Sequence, residues 1–246
     1  MAGNLLITGS AKGLGKYLLS QLGGLGLTRE NSSEILETYS AFSTIIHCAF
    51  SNPLEGAKTD NISLTESLLN LKFDKFIFIS STDVYPDDDK LHTEIDTLYE
   101  LGFRSEYAEQ KVQCERLVLK ARPSALIIRP VTILSQDPKS RNLQRLLNDL
   151  QPSLSLTETS TLNFITANEI LAFIELALKN NLTGTYNLAR NDAASLNELA
   201  NAVGKKVNFG SFRYNVGHIC NKKALNYIPS LNESSLVFFK RWLAEK

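Results

Sequence analysis

A chain of 246 residues, 43% hydrophobic and 21% charged, has the size and mix of one globular domain or a domain with a small appendage. Lys+Arg and Asp+Glu both number 26, so no global charge favours nucleic acid or an anionic membrane surface. Cys48, Cys114 and Cys220 lie far apart with no C-x-x-C pair, Met1–Asn4 has no basic leader character, and no run of about 18 apolar residues exists. A cytoplasmic protein with reduced thiols, no signal peptide and no membrane span is expected.

In chain order, residues 4–8 read as a short buried strand. Gly9-Ser10-Ala11-Lys12-Gly13-Leu14-Gly15 follows at once, and residues 16–22 read as an amphipathic helix. A strand, a glycine-rich turn and a helix start form the setting of a dinucleotide site. Glycines let a pyrophosphate approach the backbone, and the helix N-terminus offers unpaired N–H groups and a positive dipole end. Residues 25–29 are a candidate second strand, and Asn31 followed by Glu34 reads as a capped helix start. Strands are expected at 44–48, 73–79, 125–130 and 184–188, and helices at 54–71, 104–120, 141–150 and 166–179. Ser195–Glu198 and Ser230–Glu233 have the spacing of capping boxes for two late helices. This alternation predicts an α/β fold with a doubly wound, mostly parallel sheet.

Tyr107 and Lys111, four apart on the 104–120 helix, share one face. An ammonium one turn away favours the phenolate and draws a tyrosine pKa of about 10 toward the working range. Ser80 and Ser81 end the 73–79 strand, where a hydroxyl would complete a site that moves a proton at a carbonyl or alcohol oxygen; for Ser80 strand-end hydrogen bonding is the preferred role. His47 reads as a strand-end structural histidine, and Asn61 as a prop for backbone near the site. The charges of residues 86–90 read as solvated, and no His/Cys/Asp spacing suggests a metal.

Taken together, these motifs resemble the short-chain dehydrogenase/reductase superfamily, in particular its extended NAD-dependent epimerase/dehydratase branch acting on nucleotide sugars. Thr8-Gly9-x-x-x-Gly13-x-Gly15 resembles the glycine motif, Ile45-Ile46-His47-Cys48-Ala49 the V-I-H-x-A strand end, and Asn61 with Thr65 the N-x-x-x-T helix. Ser80-Ser81-Thr82-Asp83-Val84-Tyr85 resembles the S-S-x-x-V-Y segment, Tyr107 and Lys111 the catalytic pair, and Ile127-Ile128-Arg129-Pro130 the I-x-R-P strand. Residues 164–170 and 184–188 resemble later landmarks of the branch.

The resemblance implies a nicotinamide-dependent oxidoreductase or epimerase with Ser81, Tyr107 and Lys111 as catalytic residues. Thr8, Gly9, Ser10, Lys12, Gly13, Leu14, Gly15, Arg29, Ala49, Tyr107, Lys111, Pro130 and Val131 would hold the cofactor, and Thr82 and Asp83 would meet substrate. It also implies a single Rossmann-like domain over 1–246, with a substrate-binding part interleaved mainly from 131–165 and 189–230, and a homodimer. His92 and Glu94 fall in a loop bordering substrate in this family, and Asn142, Arg145 and Arg213 are weaker candidates for gripping a diphosphate.

The chain departs from the family in several places, among them the glycine spacing, which is that of the shorter single-domain branch, and Leu134-Ser135 where the family has a glycine. Between the first helix and the 44–48 strand there is room for only one strand and one helix, so one edge strand of the Rossmann sheet is expected to be missing, together with its adenine-binding acid. Dehydratases of this kind carry Asp-Glu where this chain has Thr82-Asp83, which favours ketone reduction or epimerisation over water elimination. Arg29 and Lys12 suit a 2′-phosphate, so NADP is expected over NAD; Glu30 holding ribose hydroxyls is the alternative. A protein that senses the cofactor without turnover is the competing class.

Overall fold

The switch in strand order at the centre of the main sheet decides where this chain can bind a ligand. The computed structural model describes residues 5–51, 60–88, 90–98, 102–135 and 140–245. Strand β1 (Leu5–Thr8) leads through helix α1 (Gly13–Leu22) to β2 (Leu25–Leu27) on one side. Helix α2 (Ser32–Thr38) then returns the chain to β3 (Ala41–His47) on the other side of β1, and α3 (Asp60–Leu69) leads on to β4 (Lys72–Ile79). After the short strand β5 (Leu91–His92), helix α4 (Glu106–Ala121) precedes β6 (Leu126–Pro130), and the strand Gly184–Leu188 closes the far edge. The sheet therefore has six parallel strands, with β2 on one edge and the order β2-β1-β3-β4-β6 before the last strand. In such sheets the crevice beyond the carboxyl ends of the two strands flanking the reversal is the ligand position. Here those strands are β1 and β3.

The central strands are buried on both faces, which is why they read as apolar runs such as Ile45-Ile46 and Phe76-Ile77-Phe78-Ile79. By internal packing the chain divides into two compact units. The first takes the residues up to Val84, Thr97–Arg129 and Ile174–Tyr186; the second takes Tyr85–Asp96, Pro130–Phe173 and the residues from Asn187 onward. The core of the first gathers Leu6, Ile45, Phe76, Phe78 and Ile127 with Val118 of α4. The second has its own core of Leu143, Leu146, Phe164, Leu196, Leu199 and Phe239. Its small pairings join Thr132–Leu134 with Phe164–Thr166, Thr161–Leu162 with Ala194–Ser195, and β5 with His218–Ile219.

Several local expectations change. Asn31 precedes α2 but does not cap it: its side chain faces backward, accepting from the Thr28 N–H at 2.7 Å and donating to the Gly26 carbonyl at 2.9 Å. That ties down the end of the short edge strand. Ser195 and Glu198 form a complete capping box, but Ser230 and Glu233 do not. Ser230 lies inside a 3₁₀ turn and donates to Glu169 at 2.9 Å, while Glu233 is drawn to Arg241 at 2.7 Å. The 54–71 helix is seen as Asp60–Leu69, residues 54–59 lying outside the described set. The tyrosine-bearing helix starts two residues later than expected because Ser105 caps it, accepting from the Ala108 N–H.

Two buried polar arrangements hold the first unit. The Thr8 hydroxyl accepts from the Cys48 and Ala49 N–H groups at 3.1 and 3.0 Å and lies 2.8 Å from His47 Nδ1. The other ring nitrogen, Nε2, is 3.0 Å from the Thr65 hydroxyl, which itself donates to the Asn61 carbonyl. The hydroxyl proton of Thr8 therefore points at Nδ1, and His47 is the neutral Nε2–H tautomer. Burial, reinforced by the Lys111 charge, pushes its pKa down to about 3. Separately, Glu115 and Arg129 form a buried two-pronged ion pair at 2.6 and 3.0 Å.

Each arrangement predicts a stability effect. Because His47 stays neutral when folded but titrates near 6.5 when unfolded, its contribution is complete above pH 6.5 and is lost as pH falls toward about 3. Unfolding free energy measured by denaturant titration is expected to drop by about 1.4 kcal/mol per pH unit below the unfolded pKa, with a shallower slope in His47→Gln. Glu115→Ala strands the Arg129 charge in the core and is expected to cost about 3–5 kcal/mol in the same measurement.

Candidate active site

The carboxyl end of β4 and the first turns of α4 bring Ser81, Tyr107 and Lys111 together. Ser105 caps α4, Glu106 and Glu109 in its first turn and Lys120 in its last suit the helix dipole, and the helix presents Tyr107 and Lys111 one turn apart on the same face. Beside them, Ser81 follows β4 and leads into the 3₁₀ turn Thr82–Val84. Its hydroxyl accepts from the Asp83 N–H at 3.1 Å and hydrogen-bonds the Tyr107 phenol. Ser80, by contrast, is buried with a hydroxyl that has no hydrogen-bond partner among the described residues, although its N–H donates to the Ile128 carbonyl.

The electrostatics differ from the simple picture of a lysine acting on a tyrosine. Burial is the largest influence on Tyr107 and raises its pKa; the Asp83 carboxylate raises it further, and the Ser81 hydrogen bond pulls it back in part. Lys111 is not among these influences. Its ammonium donates to the Ile79 carbonyl at 2.7 Å and lies 4.0 Å from the centre of the Phe50 ring, against 5.9 Å from that of Tyr107. Asp83, 29% exposed, is held by Arg104 at 3.7 Å. The resting phenol is therefore firmly protonated, and what the arrangement can do is donate a proton to an oxygen placed against Tyr107 and Ser81.

The glycine turn is packed closely against the backbone just past β3 and against its own first residue. Gly9 has φ +70, and a Cβ there would stand 2.8 Å from the Ala49 backbone; one on Gly15 would stand 2.4 Å from the Gly9 carbonyl oxygen. Gly13 also has a positive φ, and Lys12 at the N-cap position makes no side-chain capping bond, so the first amides of the ten-residue α1 face the turn uncapped. These residues fit a diphosphate. Gly13 and the lysine at 12 are exposed, and Leu14 is half-buried. Ser10 is buried, with its hydroxyl lying where a side chain on Gly26 would have to go, so it packs on β2. The Thr8 hydroxyl serves His47 and the Cys48–Ala49 backbone. Arg29 is exposed just past β2 and donates to the Ser51 hydroxyl.

Other candidates are buried or hold local structural partners. Pro130 and Val131 are buried at the carboxyl end of β6. Thr82 is 3% exposed and offers little surface, leaving Asp83 as the presented member of that pair. His92 is buried between Asp96 on Nδ1 and Asp88 on Nε2, both at 2.9 Å, and stacks on Tyr85. Asp88 is thus a structural partner of His92, where the sequence suggested a solvated charge. Glu94 accepts from the Asn187 N–H. Asn142 accepts from Ser155, and Arg145 donates to the Ser153 carbonyl, so both brace their own loop. Sequence reasoning missed Arg104 and Phe50. The only available signals were an arginine just before the helix and an aromatic ring directly after the H-x-A strand end.

Comparison with known proteins places this geometry. The family model described as "NAD dependent epimerase/dehydratase family" matches residues 25–189. Among solved structures, MoeE5 in complex with UDP-glucose and NAD superposes with a TM-score of 0.77 at 18% identity, covering 99% of both chains. The UDP-glucuronic acid 4-epimerase from Bacillus cereus, solved with UDP-glucuronic acid and NAD, gives 0.74 at 19% identity over 97% of this chain and 96% of that one. A dTDP-4-dehydrorhamnose reductase, an RfbD orthologue from Clostridium acetobutylicum, gives 0.76 at 14% identity over 98% of each. No curated protein sequence matches. The structural likeness establishes the fold, and the family match, spanning most of the chain, identifies it as a member of the NAD-dependent epimerase/dehydratase family of nicotinamide-dependent enzymes.

Proposed function

We propose that this protein reduces the keto group of a nucleotide-linked sugar or a related carbonyl compound, with Tyr107 as proton donor, Ser81 as hydrogen-bond partner of the reacting oxygen, and Lys111 as the cation beside them. The observation that carries this reading is the convergence of the Ser81 hydroxyl on the Tyr107 phenol, with Lys111 one helical turn away on the same face. A reduction leaves negative charge on the former carbonyl oxygen, and a phenol that holds its proton at rest can deliver it there. The reduced nicotinamide, when bound, supplies hydride to the carbonyl carbon. The chain's own part is to hold the diphosphate at Gly9–Gly15, present Tyr107 and Ser81 to one oxygen, and keep Lys111 close. Epimerisation uses the same residues with the proton moving in both directions. Dehydration is disfavoured because Thr82 occupies the place of an acid and is buried.

The substrate class is supported by structural neighbours: MoeE5 and the Bacillus cereus 4-epimerase were solved with UDP-linked sugars. NADP is the cofactor this reading favours, since Arg29 reaches from the end of β2 to Ser51, beside the carboxyl end of β3. The reading also carries a homodimer, as the family resemblance implies, and a cytoplasmic location, as three scattered cysteines suggest. A cofactor-sensing protein without turnover remains the alternative, drawing on the shortened half-sheet that ends at β2.

Two experiments test the proposal. Tyr107→Phe is expected to cost about 10²–10⁴ in turnover of a keto-sugar nucleotide while cofactor affinity stays within about twofold; full activity in that variant would eliminate the proton-donor role. In fluorescence titrations the native protein is expected to bind NADPH at least about tenfold more tightly than NADH, and Arg29→Ala to erase the difference. Equal affinities in the native protein would point to NAD instead.

A further inference from the structure

Phe50 is placed with more care than a loop residue three positions past a strand requires. On its N-terminal side, the Cys48 and Ala49 N–H groups are both held by the Thr8 hydroxyl. On its C-terminal side, the Asn61 side chain grips Ser51 twice, accepting from its N–H at 2.7 Å and donating to its carbonyl at 2.8 Å. The same amide donates to Gln110 of α4, the residue directly before Lys111. The backbone around Phe50 is thus tied to β1, α3 and α4 together. Its ring uses both its face and its edge. The Lys111 ammonium stands 4.0 Å from the ring centre, closer than to Phe78 at 4.9 Å. The Tyr107 ring meets Phe50 in a T-shaped contact, centroids 5.1 Å apart and planes at 79°.

A lysine stem of four carbons is flexible, and the helix alone does not decide where its charge ends. A ring face carries negative potential and holds an ammonium, most strongly away from water, and Lys111 is only 3% exposed. We propose that Phe50 is a positioning residue of this site: its face seats the Lys111 ammonium away from the phenol, and its packing covers Tyr107. The residue at position 50 then sets how strongly the lysine charge acts on the proton donor. This inference rests on Tyr107 being the acid of the proposed reaction, and it adds a determinant outside the Ser81, Tyr107 and Lys111 set. It also accounts for the direction of the Tyr107 shift, since covering the ring disfavours the phenolate while the ammonium that would favour it is engaged elsewhere.

The two contributions separate by substitution. Phe50→Leu keeps bulk over Tyr107 but removes the π face; Phe50→Ala removes both; Phe50→Tyr keeps both. In cofactor-free protein with isotope-labelled lysine, the Lys111 side-chain resonance, assigned through Lys111→Arg, is expected to show a ring-current shift. That shift should persist in Phe50→Tyr and fall in Phe50→Leu to the smaller part that Phe78 supplies. Phenolate absorbance, with each variant's Tyr107→Phe double mutant subtracted, should show Tyr107 titrating lower by about one pH unit or more in Phe50→Ala, and by less in Phe50→Leu. Thermal unfolding on the same samples confirms that the variants are folded, and Phe50→Tyr serves as the rescue. A Lys111 resonance unmoved by Phe50→Leu, or a Tyr107 titration unmoved by Phe50→Ala, overturns the inference. Neither readout needs cofactor or turnover. A native protein that binds no nicotinamide cofactor would therefore defeat the functional reading separately, leaving the placement of Lys111 to be decided by its own measurements.

Discussion

One hydroxyl group, that of Thr8, holds together the place where the sheet reverses direction. A hydroxyl has one proton to give and two lone pairs to offer. Here the lone pairs take the N–H groups of Cys48 and Ala49 and the proton goes to His47, so its capacity is filled. Thr8 and His47 are also register partners in the parallel pairing of β1 and β3. The fixed carboxyl ends of these strands set the crevice, and everything proposed for the site hangs on them: the glycine turn leaves from β1, and Phe50 leaves from β3. His47 is kept neutral so that it can take Thr8's proton on one side and bond Thr65 on the other; a charged imidazole would have no acceptor left for Thr8.

The second layer of the site is a balance of charges that favours a held proton. Tyr107 is flanked by a carboxylate and a hydroxyl, and the nearby ammonium is engaged by the Ile79 carbonyl and the Phe50 ring. Arg104 moderates Asp83 without removing its effect, since their separation of 3.7 Å is that of a loose ion pair. A site built to keep a phenolate would bring the lysine forward and send the carboxylate elsewhere. The arrangement here does the opposite, so the resting phenol keeps its proton.

Much of this was legible in the sequence because it depends on spacing along one element. Tyr107 and Lys111 are one helical turn apart wherever the helix goes, and a glycine turn between a strand and a helix has few alternatives. The loss of one edge strand, which leaves β2 at the edge, was legible in the short interval between α1 and β3. The misread residues are those whose partners come from elsewhere in the chain. Asn31 has the spacing of a cap, yet the edge strand behind it offers the better bonds. Ser230 and Glu233 have the spacing of a box, but Glu169, Arg190 and Arg241 compete for them. Asp88 looked solvated because its partner His92 is brought to it by the fold of its own loop. Phe50 looked like any aromatic residue after a strand, and its role depends on where a flexible lysine comes to rest.

The shortened half of the sheet bears on the two ends of a dinucleotide unequally. Parallel pairing is local: β1 needs β2 and β3 beside it, and both are present in register. Loss of a further strand beyond β2 leaves the Thr8–His47 junction, the glycine turn and the Tyr107 cluster as they would be in a full sheet. What it removes is surface beyond β2, where the remaining polar groups are the exposed Arg29 and Glu30 and the loop that Asn31 ties down. In the proposed binding mode the phosphate and nicotinamide ends would rest on interactions within the intact part of the fold, while the adenosine end would depend on a few exposed side chains. In such an arrangement affinity is weakened more readily than chemistry, because removing binding contacts remote from the reacting atoms leaves the proton donor and its neighbours where they are.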